Sequence, residues 1–300
     1  MKDAFLAIVN PAAGGGRGRK LVGPALDRLR AGGVPVDIVE THGPGQATAI
    51  TRNAVTDGYT RFIAVGGDGT SYEIVNGLFP RPAGGDPPWL AFLPLGTGNS
   101  FLREFSDRGV EHAIEALLGQ RTQPCDVLRL QYAGGTLHYI NLLSMGFAAD
   151  VATLRARRFS AWGELGYQSA IFISLARLRR RPFPLQVDGQ GEIDRRPCLF
   201  LTFNNSKFTG GTMLIAPRAQ VNDGLIEYVR WGPIGRIGLI RNLPTLYDGT
   251  HINHPLAERH AATQIDFFLD GPVDVMVDGE VLTLQCQKLD VLSSALTVVV

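Results

Sequence analysis

The first third of the chain alternates between two hydrophobic rhythms. Short, mostly apolar runs at 4–9, 34–40, 61–65 and 90–94 read as strands, the unbroken ones as strands buried on both faces. Between and after them, residues 17–29, 46–55, 71–78, 101–105 and 111–118 carry apolar positions at helical spacing. Strand and helix alternate over residues 1–125. That alternation predicts a parallel sheet covered on both faces.

After Gln123-Pro124 the rhythm changes. Residues 126–132 alternate, Gly134-Gly135 turns the chain, and 136–143 returns, as in a hairpin. Further strand-like runs lie at 185–188, 198–203, 225–231, 265–269, 273–277 and 281–284. The expected fold is therefore α/β plus β. An N-terminal Rossmann-like parallel-sheet domain spans 1–125, and a C-terminal antiparallel β-sandwich spans 126–288. The β-branched tail 289–300 is expected to pack back on the first domain. Two helices, 163–180 and 233–246, interrupt the β domain. The first has an apolar stripe flanked by seven arginines: Arg155, Arg157, Arg158, Arg177, Arg179, Arg180 and Arg181. Such a helix either packs into a core with a solvated basic rim or meets anionic lipid headgroups.

Composition narrows the choice. The 300 residues hold 29 Lys+Arg against 28 Asp+Glu, so no global basic surface invites nucleic acid, and none is expected as a partner. No run of about 18 apolar residues occurs. Met1-Lys2-Asp3 leads straight into a strand-like segment with no signal-peptide pattern. Cys125, Cys198 and Cys286 are far apart and lack metal spacing. The expected location is cytoplasmic, with peripheral contact at the inner membrane face.

Candidate chemistry collects in three loops, each directly after a strand: 10–16, 66–70 and 96–100. In Gly66-Gly67-Asp68-Gly69-Thr70 a glycine-rich turn joins a strand to a helix. Glycine lets a ligand approach the backbone closely, and a helix start offers unpaired N–H groups to phosphate. Asp68 places a carboxylate there, which beside phosphates means a divalent cation or a proton acceptor. Three such loops in one domain point to a phosphate-rich ligand. A dinucleotide-dependent dehydrogenase is excluded, because no G-x-G-x-x-G follows the first strand.

Together these motifs resemble the diacylglycerol kinase catalytic-domain family of soluble lipid kinases, which includes sphingosine and ceramide kinases. Asn10-Pro11-Ala12-Ala13-Gly14 resembles the family's opening nucleotide loop, with Ala13 where Ser or Thr is frequent. Thr41 resembles its adenine- or ribose-side threonine. Gly66 to Thr70 with Glu73 and Asn76-Gly77 resembles the signature loop and helix, and Gly96-Thr97-Gly98-Asn99 the third loop. Ile215-Ala216-Pro217 with Asn222-Asp223-Gly224 resembles a segment that holds a structural magnesium. Asp278-Gly279-Glu280 resembles a late motif whose glutamate is a proposed base. Residues 145–151 and 248–255 are more similar to the sphingosine and ceramide branch. Ser100 departs from the pattern, since bacterial diacylglycerol kinases carry Asp there in the network around the structural magnesium.

The resemblance implies an NAD kinase/diacylglycerol kinase-like fold, ATP and Mg2+, and transfer of the γ-phosphoryl group to a lipid hydroxyl of diacylglycerol or sphingoid/ceramide type. Asn10 to Gly14, Thr41, Gly66, Gly67, Gly69, Thr70, Glu73, Gly96, Thr97 and Asn99 would then serve the nucleotide. Asp68 is the magnesium-side carboxylate or the base, Glu280 is the competing base, and Asp223 is the metal residue. Asp278-Gly279 is also a type I′ turn signal, so Glu280 reads equally as a turn neighbour. Asp150 would meet a substrate hydroxyl or a sphingoid amine. The partner is a lipid at a membrane surface, and a homodimer is left open. The rival readings are an NAD kinase-like enzyme and a catalytically silent nucleotide- or lipid-binding module.

Overall fold

The computed structural model describes residues 2–16, 18–81, 84–95, 99–159, 170 and 172–300. The chain divides into two compact units, Met1–Val127 with Leu292–Val300, and Leu128–Val291.

In the first unit, β1 (Phe5–Val9), α1 (Gly18–Ala31), β2 (Val36–Glu40), α2 (Gln46–Thr56), β3 (Arg61–Gly66), α3 (Asp68–Leu78), β4 (Trp89–Pro94) and α4 (Val110–Leu118) follow in turn. The strands lie in the order β2-β1-β3-β4, all parallel. At the end of the chain Thr297, Val298 and Val299 add parallel beside Trp89, Leu90 and Ala91 of β4. Alternate strand residues (Phe5, Ala7, Val9, Ile63, Val65, Ala91, Leu93) share a core with Leu26 and Leu29 of α1 and Ile114 and Leu117 of α4. The intervening Leu6, Ile8, Phe62 and Leu90 are buried as well, so both faces are covered and the runs must be apolar throughout. The chain moves from β1 to β2 on one side, then returns to β3 on the other. That reversal opens a crevice at the carboxyl ends of β1 and β3.

The pattern fails locally in two places here. α3 starts at Asp68 rather than 71, because its first turn is polar and gives no apolar signal. The expected helix at 101–105 is a 3-10 turn, Leu102–Glu104.

β5 (Thr122–Tyr132) starts in the first unit and ends in the second. The second unit continues with β6 (Gly135–Tyr139), β7 (Leu142–Gly146), α5 (Phe147–Leu154), β8 (Leu185–Val187), β9 (Gln190–Asp194), β10 (Phe200–Asn204), β11 (Phe208–Thr209), β12 (Met213–Leu214) and β13 (Ile226–Trp231). Then come α6 (Arg236–Asn242), α7 (Thr245–Asp248), β14 (Ala257–Ala262), β15 (Gln264–Phe267), β16 (Val273–Val277), β17 (Glu280–Leu284) and β18 (Cys286–Val299).

Six strands form an antiparallel sheet in the order β14-β13-β10-β7-β16-β17. A second antiparallel set runs from the first half of β18 through β15 and β8 to β9. Phe203 of β10 meets Phe267 of β15 edge-on, with ring centroids 5.3 Å apart, so the two sets pack face to face as a sandwich-like pair. The single return strand expected at 136–143 is interrupted at Ile140-Asn141, where a buried carboxylate takes the backbone amides. The helix expected at 233–246 is two, α6 and α7, with Pro244 between them. α5 was hidden in an apolar stretch. Of the helix expected at 163–180, residues 163–169 and 171 lie outside the described residues, and 172–176 are helical.

Candidate active site

The loops after β1, β3 and β4 interlock through the backbone. Asn10 donates its amide to Val65 O at 2.9 Å, and its side-chain Nδ2 lies 3.5 Å from Thr70 Oγ1. Its Oδ1 accepts the Ala12 amide at 3.0 Å, and Ala13 N donates to Asn10 O at 3.1 Å. Pro11, Ala12 and Ala13 thus form a tight corner ahead of Gly14. Leu95 N donates to Gly66 O at 2.8 Å. The buried Thr41 ties the loop after β2 to the same edge: its amide and hydroxyl both donate to Val9 O, at 2.8 and 3.3 Å. Asn10, Gly14, Thr41, Gly66, Thr70 and Leu95 are therefore gathered at the carboxyl end of the sheet. Gly96 and Thr97 lie outside the described residues.

Two glycines are required by close approach. Gly14 has φ +61°, and a Cβ there would sit 2.3 Å from Leu95 O. A Cβ at Gly66 would sit 2.3 Å from Thr70 Oγ1. Gly67 caps α3 in an extended conformation, and Asp68 and Gly69 form the helix's first turn, whose N–H groups have no acceptor within the helix. Gly14→Ala combines a left-handed backbone with a carbonyl clash. It is expected to weaken nucleotide binding about tenfold, measured by calorimetric titration, and an unchanged affinity would show that this corner is not at the nucleotide.

Asp68 sits at the positive end of α3. Its Oδ2 accepts the Ser100 amide at 3.0 Å, and Phe101 N and the Ser100 hydroxyl also bond to it. The residue keeps some exposure, but its carboxyl is enclosed beside a narrow crevice lined by Gly67, Ser71, Pro94, Asn99 and Phe101. Burial pushes its pKa up, and the three hydrogen bonds oppose that rise without cancelling it. Ser100 is itself buried. In place of a second acid, this position delivers a hydroxyl and an amide to Asp68.

Several other expected site residues have partners within their own unit. Glu73 was grouped with the nucleotide contacts. Its carboxylate instead accepts the Gly45 and Ala47 amides at 2.7 and 2.9 Å, fastening α3 to the start of α2. Asp150, expected at the substrate, lies in the first turn of α5 and pairs with Arg181 at 2.5 Å. That cation is the partner a carboxylate there requires. Asp223, expected at a structural magnesium, is exposed and accepts the Leu225 amide at 3.0 Å in its own turn. Among the described residues no group of three or more His, Cys, Asp or Glu side chains is placed to hold a metal ion. Among the described residues of the crevice, Asp68 is the carboxylate that fits an ion arriving on a nucleotide's phosphates, which needs only one or two carboxylates.

Glu280 is exposed at the start of β17, paired across the hairpin with Val277. The turn has positive φ at Asp278 and Gly279, +47° and +89°, as a type I′ turn requires. The sequence assigned Asp278 itself no role beyond the turn and the late motif. Asp278 is 3% exposed, and its carboxylate accepts three backbone amides, Ile140 (3.0 Å), Asn141 (3.0 Å) and Leu142 (2.9 Å). This acid holds the entry to β7, and through the turn it fixes where Glu280 begins.

Known proteins match this chain over nearly its whole length. The family description "Diacylglycerol kinase catalytic domain" matches residues 4–130, and "YegS C-terminal NAD kinase beta sandwich-like domain" matches residues 141–300. A diacylglycerol kinase of Mycobacterium tuberculosis is 30% identical over 280 residues, covering 91% of this chain and 87% of that protein. One from Bacillus subtilis is 27% identical over 299 residues, covering 95% and 94%. A crystal structure of a diacylglycerol kinase from Bacillus anthracis superposes with a TM-score of 0.70 at 21% identity, over 99% of this chain and 96% of that one, and shows the shared fold. With its loop-built crevice, its sandwich and its full-length relatives, the chain belongs to the diacylglycerol kinase catalytic-domain family of lipid kinases.

Proposed function

We propose that this lipid kinase transfers the γ-phosphoryl group of ATP, carried as its magnesium complex, to the hydroxyl of diacylglycerol or a sphingoid- or ceramide-type lipid. The observation that carries the reading is the position of Asp68: a desolvated carboxylate at a helix N-terminus, where the loops after β1 and β4 are hydrogen-bonded to β3 and its loop. Phosphoryl transfer asks mainly for positioning and charge neutralisation. The first-turn amides of α3 and the Asn10 and Thr70 side chains supply donors for phosphate oxygens. Magnesium, when bound, neutralises the phosphates, and Asp68 is the residue that would hold it. The hydroxyl's proton goes to Asp68 or to Glu280. Whole-length relatives that are diacylglycerol kinases favour diacylglycerol. Because ATP is the donor, the reaction is assigned to the cytoplasmic side of a membrane. Among the described residues no helix is long and apolar enough to cross one.

The test is incubation with a total lipid extract and γ-labelled ATP, with NAD in a parallel arm. The expected product is one labelled, organic-soluble lipid phosphate. Label in NAD alone, or nucleotide binding with no product, would overturn the reading.

A further inference from the structure

We propose that α6, α7 and the neighbouring helical segment 172–176 form the face by which this protein lies on an anionic lipid surface. The inference stands on surface composition and goes beyond the reaction. Ile237, Ile240 and Tyr247 are 68%, 51% and 55% exposed, and Phe172 is 70% exposed. Pro244 is exposed as well. From Ile237 to Tyr247 these positions recur every three or four residues, which makes one apolar stripe along the helical path. The opposite side of that path is already satisfied, with Leu239 and Leu246 in a core with Ile234 and Trp231. Among the described residues, the outward stripe is left largely exposed.

The two segments are clamped side by side. Arg236 donates Nε to Leu175 O at 3.1 Å and Nη2 to Ala176 O at 2.9 Å. Arg180 Nε donates to Ile234 O at 3.1 Å. Phe172 sits about one turn from that clamp, on the same assembly as Ile237.

Charge chooses the occupant. Residues 172–187 and 231–247 contain six arginines and not one Asp, Glu or Lys, in a chain whose charges nearly cancel overall. Arg181 is taken up by Asp150. Arg177, Arg179, Arg180, Arg236 and Arg241 are exposed. Bulky apolar side chains amid a rim of arginines, with Asp248 at the end of α7 as its one exposed acid, match an interfacial helix, with apolar groups below the headgroups and guanidinium groups among the phosphates. A second copy of the chain would set like charge against like charge, and nucleic acid would leave the apolar stripe in water.

Co-sedimentation with vesicles, without nucleotide, tests the proposal. Wild-type protein is expected to bind phosphatidylcholine vesicles containing phosphatidylglycerol and to bind pure phosphatidylcholine at least tenfold more weakly. Ile237→Ser with Ile240→Ser should reduce binding to the anionic vesicles about tenfold or more. Arg179→Glu with Arg241→Glu should do the same and flatten the salt dependence, since each basic residue near such a surface contributes about fivefold. Both variants are expected to keep wild-type turnover on a short-chain, water-dispersed lipid, which shows that they are folded. Unchanged vesicle binding in either variant would overturn the proposal. So would equal wild-type binding to both vesicles, or an isoleucine variant that converts a dimer to a monomer while vesicle binding stays intact. Docking without phosphorylation would sink the kinase reading alone, and phosphorylation of the dispersed lipid without docking would sink this inference alone.

Discussion

Asp68→Asn is expected to lower lipid phosphorylation by about 10³-fold or more while leaving the protein folded. Loss of a general base costs about 10²–10⁴ in rate, and loss of the carboxylate that meets the phosphate-bound cation acts in the same direction. The substitution keeps the shape and keeps an acceptor for the Ser100 amide. Stability should move the other way. Burial raises the folded-state pKa of Asp68, so its ionised form is penalised in the folded protein. A raised pKa gives a contribution that is full below the unfolded carboxylate value and is lost as pH rises through the folded value. Asp68→Asn should therefore melt higher than wild type at neutral pH, and the gain should vanish in acid below the ordinary carboxylate range. Thermal melts at both pH values, beside steady-state rates, check the pair. Wild-type turnover in the variant would remove Asp68 from the chemistry, and a lower neutral melting point would show that the acid serves the fold. An active site that gives up stability for a poised charge is a familiar trade.

Asp278→Ala is expected to destabilise the second unit by about 3–5 kcal/mol. It strips one acceptor from three buried amides, each costing about 1–3 kcal/mol when left unpaired, with partial relief from water. Asp278→Asn, which tolerates the positive φ, should fall between. Glu280→Gln is the contrast: an exposed side chain at a strand start can lose its charge with little effect on folding. As the competing base it is expected to give a lower kcat with nearly unchanged ATP affinity. Denaturant midpoints and the split between kcat and KM separate the two residues. A stable Asp278→Ala protein would contradict the structural assignment, and a Glu280→Gln change confined to KM would return Glu280 to the turn.

The local grammar of the chain carried most of the first unit. β1 and β3 are apolar at nearly every position because the parallel sheet is covered on both faces, and the glycine-rich loops follow because ligand loops leave the carboxyl ends of such strands. What could not be read locally were partnerships. The amides held by Asp278 lie 136 to 138 residues earlier in the chain. Glu73 reaches back 28 and 26 positions to the start of α2, a brace between two helices that the local motif does not encode. Asp150 finds its cation 31 residues away, which the motif around it does not encode. β14, Ala-Glu-Arg-His-Ala-Ala, is a sheet-edge strand with no apolar run to mark it, and its charged residues Glu258 and Arg259 pair with Arg230 and Glu227 of the neighbouring strand. The exposed stripe of α6 and α7 was concealed for the opposite reason. Its isoleucines look like core residues until the burial of Leu239 shows which side faces in.

The central claim is that the loops after β1, β3 and β4 hold one triphosphate with Asp68 among its phosphates. A crystal structure with a non-hydrolysable ATP analogue and magnesium tests it most directly. The account predicts phosphate oxygens within hydrogen-bonding distance of the first-turn amides of α3 and the Asn10 side chain, with the metal between the phosphates and Asp68. A nucleotide bound away from the carboxyl ends of β1 and β3, or phosphates seated with Asp68 turned away from them, would contradict it.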